Sequence, residues 1–139
     1  MWVNYGILVI SKEYLLFVYT RPDRDPAWLL ETGTEVHATA AGKVARADFS
    51  KSYGNTVVVN HGNNIYTLYA HGSRLNVSVG NPVFTNQVIM LSGNTGKPSS
   101  GPHLHYEVVV SPYSPSEGGF YYDINLRRSP TDLRKLLNP

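Results

Sequence analysis

The sequence predicts an all-β domain, a mainly antiparallel sheet, with one short helix at its C-terminal end. Its apolar runs are short, closely spaced and rich in β-branched and aromatic residues, which suit a pleated surface. Turn formers are plentiful, with 12 Gly and 9 Pro beside 10 Tyr, as expected for many strands joined by tight connections. Only one segment carries helix-start chemistry.

In chain order, Trp2 to Ile10 and Tyr14 to Tyr19 flank the polar Ser11-Lys12-Glu13 and read as a hairpin. Arg21 to Pro26 holds two prolines and alternating charges, the composition of a loop. Val36 to Ala47 reads as a strand pair turning at Ala41-Gly42. Thr56 to Asn60 and Tyr66 to Ala70 are strands parted by the turn His61-Gly62-Asn63-Asn64. Asn76 to Val79, Val88 to Leu91 and Leu104 to Val110 complete the β set. Ser92 to Pro102 and Ser111 to Gly119 read as loops. Behind Ser129-Pro130, the stretch Thr131 to Leu137 has a capping residue, an early Asp132 and late basic residues, so it reads as the helix.

No internal repeat, low-complexity tract or composition break divides the chain, so residues 1–139 are expected to form a single domain. A hydrophobic share of 42% against 16% charged argues for a folded globule. The net charge of +2 gives no reason to expect nucleic acid. Its one dense basic group, Arg127, Arg128, Arg134 and Lys135, reads as the solvated face of the terminal helix. With no cysteine, disulfides and thiolate metal sites are excluded. No run is long enough for a membrane span. Met1 to Tyr19 is apolar, but it has no basic n-region and Lys12 and Glu13 interrupt it, so it does not read as a secretory signal.

Chemistry is concentrated in the histidines. His103 and His105 lie in Gly101-Pro102-His103-Leu104-His105-Tyr106-Glu107. On a strand, alternate side chains share a face, so both imidazoles point one way and Leu104 the other. A sheet can offer such a pair to a metal, or one ring to a metal and one to a substrate. The same spacing also occurs on solvated strand faces, so the pattern alone is weak. His71 follows the aromatic strand Tyr66 to Ala70 and precedes Gly72, at a strand end where reactive groups can be presented. His61 reads as a turn residue and His37 as a packing residue. Gly93-Asn94-Thr95-Gly96-Lys97-Pro98 lacks the spacing of a Walker phosphate loop, and its proline would block the helix that such a loop requires.

Taken in order, these pieces resemble the lysostaphin/LytM-type zinc metalloendopeptidases. The resemblance rests on Gly33-Thr34-Glu35-Val36, Ala40-Ala41-Gly42-Lys43-Val44, Tyr53-Gly54-Asn55-Thr56-Val57-Val58-Val59 and His61-Gly62. It continues through Tyr66-Thr67-Leu68-Tyr69-Ala70-His71, Val79-Gly80-Asn81-Pro82-Val83, Gly93-Asn94-Thr95-Gly96 and Gly101 to Glu107. It covers roughly Gly33 to Val110, leaving residues 1–32 as a divergent N-terminal segment. It implies a LytM-like antiparallel domain of duplicated-hybrid-motif type, with a groove over the sheet, acting on peptide bonds of peptidoglycan. It also implies a periplasmic, extracellular or cell-wall location. Carried over residue by residue, His105 would be a zinc ligand, and His71 and His103 would be catalytic residues flanking the substrate. Tyr69, Asn94 and Tyr106 would line the substrate groove.

The departure lies upstream. In the family a His-x-x-x-Asp motif supplies two more ligands, and counting back from Gly33 puts its His at Asp23 and its Asp at Ala27. The chain has no histidine before His37. Asp23, Asp25 or Glu31 could offer an oxygen ligand, but zinc hydrolases ordinarily use three protein ligands plus water, so bound zinc is doubtful. The leading expectation is therefore a zinc-deficient or non-catalytic domain that binds wall peptide or regulates a wall hydrolase. A second is an active endopeptidase with a non-standard ligand set. A third is a carrier-like β domain: lipoyl and biotinyl carriers share the look of Val79 to Val83 but need a lysine in an exposed hairpin, whereas in a sugar-phosphocarrier domain His71 and His103 would imitate two facing histidines.

Overall fold

The computed structural model describes residues 3–9, 15–20, 27–29, 32–96, 101–116, 124–128 and 133–138, the segments before residue 30 through their backbone alone. The predicted N-terminal hairpin is present: β1 (Val3–Val9) and β2 (Leu15–Thr20) pair antiparallel as a separate two-stranded sheet. The main sheet contains β3 (Ala27–Leu29), β5 (Gly42–Ser50), β6 (Gly54–Asn60), β7 (Ile65–Gly72), β9 (Pro82–Val83), β11 (His103–Val110) and β12 (Arg127–Arg128). Its order is β12-β11-β7-β6-β5-β9, and β3 also pairs with β11. A third sheet has the order β4-β10-β8, from β4 (Glu35–His37), β8 (Arg74–Leu75) and β10 (Val88–Leu91). Among the described residues, one helix, α1 (Leu133–Leu137), follows a 3-10 turn at Ile124–Leu126. The mainly antiparallel all-β class with a short C-terminal helix is as the sequence predicts.

Alternation along the central strands builds two apolar layers. Val44, Val57, Val59, Tyr69, Leu104, Tyr106 and Val108 pack with Val36, Ile89 and Met90 of the smaller sheet. Tyr53, Val58, Tyr66, Leu68, Ala70 and Val109 form a second cluster from the intervening positions. Every residue of β7 is buried, which explains its nearly continuous apolar character. Full burial of a Val or Leu side chain contributes about 1.5–3 kcal/mol, so these strands form a rigid base for whatever their ends carry.

Three local expectations change. Val36 to Ala47 is not a hairpin: β4 pairs with β10 and β5 pairs with β6 and β9, so the chain changes sheets at Ala38–Ala41. Gly42 permits this passage, since a Cβ there would overlap the Asn60 carbonyl and Val59. The strand expected at Asn76 to Val79 instead lies at Arg74–Leu75. Arg127 and Arg128 do not belong to a solvated helix. They form β12, paired with Val109 and Val108 respectively.

Candidate functional site

His103 and His105 share one face of β11, whose antiparallel partner is β7, with Ala70 opposite His105. Alternation would carry the next residue of β7, His71, to the other face, but a bulge intervenes. Asn55 pairs with Gly72 and Val57 with Tyr69, so Ala70 and His71 together oppose Thr56. One extra residue of this kind re-aims a side chain. His71 also adopts φ 64°, in the left-handed region uncommon for a residue with a side chain. The result brings the rings together. His71 lies 4.7 Å from His103 and 5.9 Å from His105 between ring centroids. Tyr53 adds a tilted contact to His105 at 5.8 Å.

The loop after β10 locks this arrangement. The Thr95 carbonyl accepts from His71 Nδ1 at 2.6 Å, while its hydroxyl donates to the Gly72 carbonyl at 2.6 Å and accepts from the Asn55 amide at 3.1 Å. Asn55 Nδ2 donates to the same Gly72 carbonyl at 3.0 Å. Gly54 and Gly96 are packed so closely here that a Cβ on Gly54 would overlap Thr95, and one on Gly96 would overlap the backbone of Tyr53 and Gly54. The His103 amide donates to the Gly93 carbonyl at 3.1 Å. Asn94 lies exposed between Gly93 and Thr95.

The hydrogen-bond partners fix two tautomers. A carbonyl only accepts, so Nδ1 of His71 carries a hydrogen toward Thr95, and Nδ1 of His103 carries one toward Gly101 at 2.7 Å. Each ring then keeps its Nε2 lone pair. Burial, opposed by the Thr95 carbonyl and assisted by His103 and His105, lowers the His71 pKa to about 4. His103 is also lowered, by burial first and then by His105, against the Gly101 carbonyl. At neutral pH both are uncharged acceptors, suited to taking a proton, a metal ion or an N–H donor.

His105 is held differently. Its Nε2 lies 2.7 Å from Glu107 Oε1, and Arg127 Nη2 reaches the same oxygen at 2.9 Å. Glu107 is buried on the histidine face of β11, two residues on. Beyond these strands, Ala27 of β3 is the direct partner of His105.

Two groove residues predicted from the sequence lie elsewhere. Tyr69 and Tyr106 are 1% and 0% exposed, on the core face of the sheet, where they contact each other at 5.3 Å. Their hydroxyls lie 2.9 Å from Thr39 Oγ1, and burial raises both pKa values. They cannot line a groove on the histidine face. The cause is strand parity: Tyr106 stands between His105 and Glu107, and Tyr69 pairs with Tyr106. His61 and His37 also lie outside the cluster, bonded to Ala41 and Thr67, and to Asn86, respectively. Asp23, Asp25 and Glu31 are outside the described residues.

Residues 27–115 match Peptidase family M23. The chain belongs to that family. The M23 match covers the whole His71–His103–His105 cluster and begins six residues before Gly33, at the strand that pairs with His105. Peptidoglycan DD-endopeptidase ShyA of Vibrio cholerae serotype O1 is 40% identical over 89 residues, 64% of this chain and 20% of that protein. Murein hydrolase activator EnvC of Escherichia coli is 42% identical over 76 residues, 55% of this chain and 18% of that protein. The chain thus spans about a fifth of the length of these curated relatives. Among solved structures, the catalytic domain of the antimicrobial peptidase lysostaphin from Staphylococcus simulans superposes with a TM-score of 0.66 at 29% identity, covering 80% of this chain and 77% of that one. M23 membership supersedes the phosphocarrier alternative.

The M23 family is zinc-dependent. Zinc in hydrolases takes three protein ligands and leaves a fourth position open. Among the described residues no group of three His, Cys, Asp or Glu could hold a metal. His105 can offer a nitrogen, but its β3 partner is an alanine, a residue type without a ligand atom in its side chain. The described residues do not make a zinc site by themselves.

Sequence reasoning missed Tyr53, Asn55, Thr95, Glu107 and Arg127. All except Arg127 stand within quoted motif strings. Glu107 was also within reach of parity, since positions 103, 105 and 107 share a face. Nothing in the sequence pairs Arg127 with Glu107, because that contact depends on a short strand 20 residues away.

Proposed function

We propose that this M23 domain is a zinc-deficient, non-catalytic module directed at the peptide part of peptidoglycan, acting at the cell wall by binding wall peptide or regulating a wall hydrolase. The observation that carries it is the Ala27–His105 register. By the family mapping, position 27 is where a second ligand, an aspartate, would stand, and here it is alanine. The cluster nevertheless keeps two uncharged imidazoles with open Nε2 acceptors, Tyr53 in ring contact with the neighbouring His105, and an exposed Asn94 in the adjoining loop. Such a surface suits peptide N–H groups, with little reliance on charge. EnvC, a murein hydrolase activator, gives the regulatory form of this reading a relative of matching sequence.

The experiment is sedimentation with insoluble peptidoglycan, accompanied by a cleavage assay on a glycine-rich wall peptide. The expected result is weak binding that persists at moderate salt, without cleavage. Binding lost at moderate salt would indicate nonspecific ionic adhesion, because screening over about 8–10 Å removes such contacts.

A second reading is an active endopeptidase that completes its ligand set with Asp23, Asp25 or Glu31. Its support is the convergence of all three family histidines and the 40% identity to ShyA. Chelator-sensitive cleavage by the unmodified chain would establish it.

A further inference from the structure

We infer that His61 is an acid-sensitive latch, holding in place the segment through which the chain passes from the smaller sheet to the main one. That segment, Ala38–Ala41, lies between β4 and β5. Its Ala41 carbonyl lies 2.7 Å from His61 Nδ1, and Thr67 Oγ1 lies 2.8 Å from His61 Nε2. The Tyr69 hydroxyl is 2.9 Å from both Thr67 Oγ1 and Thr39 Oγ1, and accepts the Thr39 amide at 3.0 Å. The Tyr106 hydroxyl completes the chain, 2.9 Å from Thr39 Oγ1. Thr39, Thr67, Tyr69 and Tyr106 are buried, while His61 stands half-buried directly after β6. One histidine thus reaches the crossover twice, at Ala41 directly and at Thr39 through two hydroxyls.

One anchor assigns every hydrogen in this chain. A carbonyl only accepts, so Nδ1 of His61 carries the ring hydrogen and Nε2 of the neutral ring accepts. Thr67 has one hydroxyl hydrogen, which goes to Nε2, so its oxygen accepts from Tyr69. With the Tyr69 hydrogen so used, Thr39 donates to Tyr69 and accepts from Tyr106. A second proton on His61 turns Nε2 into a donor aimed at the Thr67 oxygen. The hydroxyl hydrogens of Thr67, Tyr69 and Thr39 must then all reverse, and Tyr106 loses its acceptor on Thr39. A buried network that is only partly satisfied is costly, so acid loosens the crossover.

The surroundings leave this balance to the ring itself. Burial lowers the His61 pKa from 6.5, against the Ala41 carbonyl, which raises it. The neutral ring's contribution is therefore complete above about pH 6.5 and is lost as pH falls through the lower folded value. On the core side of the main sheet, the titratable groups are Tyr69 and Tyr106, which reach His61 through hydroxyls alone. Lys43 of β5, Arg74 of β8, and Arg134 and Lys135 of α1 are exposed. Arg46, Asp48, Tyr66 and Glu107 stand on the opposite face, with the histidine cluster. Glu35 and His37 lie on either side of core-facing Val36, on the outer face of the smaller sheet.

Local hydrogen exchange reads the latch directly. Tyr69 holds the Thr39 amide, so protection of that amide should fall about tenfold as His61 titrates, the scale of one buried hydrogen bond. His61→Gln supplies an N–H for Ala41 and an oxygen acceptor for Thr67 without titrating. It should keep Thr39 protected through the same pH range. Acid destabilisation through His71 acts in both proteins, so their comparison isolates the latch. Thr39 protection that stays constant while the His61 ring titrates, or that falls equally in His61→Gln, would overturn the inference. If His61→Gln does not fold, the unmodified chain still decides by NMR of its ring nitrogens at about pH 8, above the ordinary imidazole range. Hydrogen on Nδ1 of His61 is expected there, and hydrogen on Nε2 would refute the assignment. None of these readouts depends on peptidoglycan or zinc, so the proposed function can fail while this test stands.

Discussion

Ala27 and His105 are direct partners across the antiparallel β3–β11 pair. The register brings position 27, which the family resemblance reads as the place of an aspartate ligand, next to the histidine that the same resemblance reads as a metal ligand. Restoring the pattern with Asp23→His and Ala27→Asp should therefore raise zinc affinity. The gain should exceed about tenfold, the low end of what even outer partners of a zinc ligand contribute. Isothermal titration with zinc measures it, and no gain would mean that residues 23–27 do not present ligands to the cluster.

The packing of the Thr95 loop predicts a specific weakness at Gly54. Its φ is 65°, and a Cβ there would overlap Thr95. Gly54→Ala should cost about 2 kcal/mol or more, combining the left-handed backbone penalty with overpacking. Because Thr95 holds His71, the His71 ring signals should shift as well. Chemical denaturation and NMR report the two effects separately.

The Tyr69–Thr39–Tyr106 cluster should matter for stability and not for the groove. Thr39 Oγ1 lies 2.9 Å from each tyrosine hydroxyl, and all three residues are buried. Thr39→Val keeps the shape but removes that hydroxyl, and should destabilise the fold by about 1–3 kcal/mol. Peptidoglycan binding by the folded variant should be unchanged, since these groups lie on the opposite face from His105.

Acid should weaken the domain through His71. Its folded pKa of about 4 lies below the ordinary value of 6.5, so the unfolded chain binds more protons between them. The stability contributed by the neutral ring is fully present above about pH 6.5 and is lost as pH falls through the folded value. Replacing His71 with Gln should flatten this part of the stability profile. An NMR titration placing the His71 midpoint near 6.5 would contradict the burial argument.

Much of this was legible in the sequence, and the boundary of legibility is physical. Strand alternation brought His103 and His105 together, and the ordered motif strings named the fold. Applied one residue further, the same alternation puts Tyr106 on the core face. The chemistry of aromatic side chains suggested a groove instead, and the period of the strand decided the matter. His71 reaches the cluster only through a bulge and a left-handed backbone, neither of which its residue type announces. The change of sheet at Ala38–Ala41 was hidden because two adjacent strand-like runs look the same whether or not they pair. Arg127 was hidden by distance along the chain.

Zinc content tests the reading of this M23 domain most directly. Protein purified with zinc present and then dialysed against a weak chelator should retain well under one zinc per chain, because the described residues supply no three-ligand set. Retention of one tightly held zinc per chain, with an anomalous X-ray signal beside His105, would contradict it.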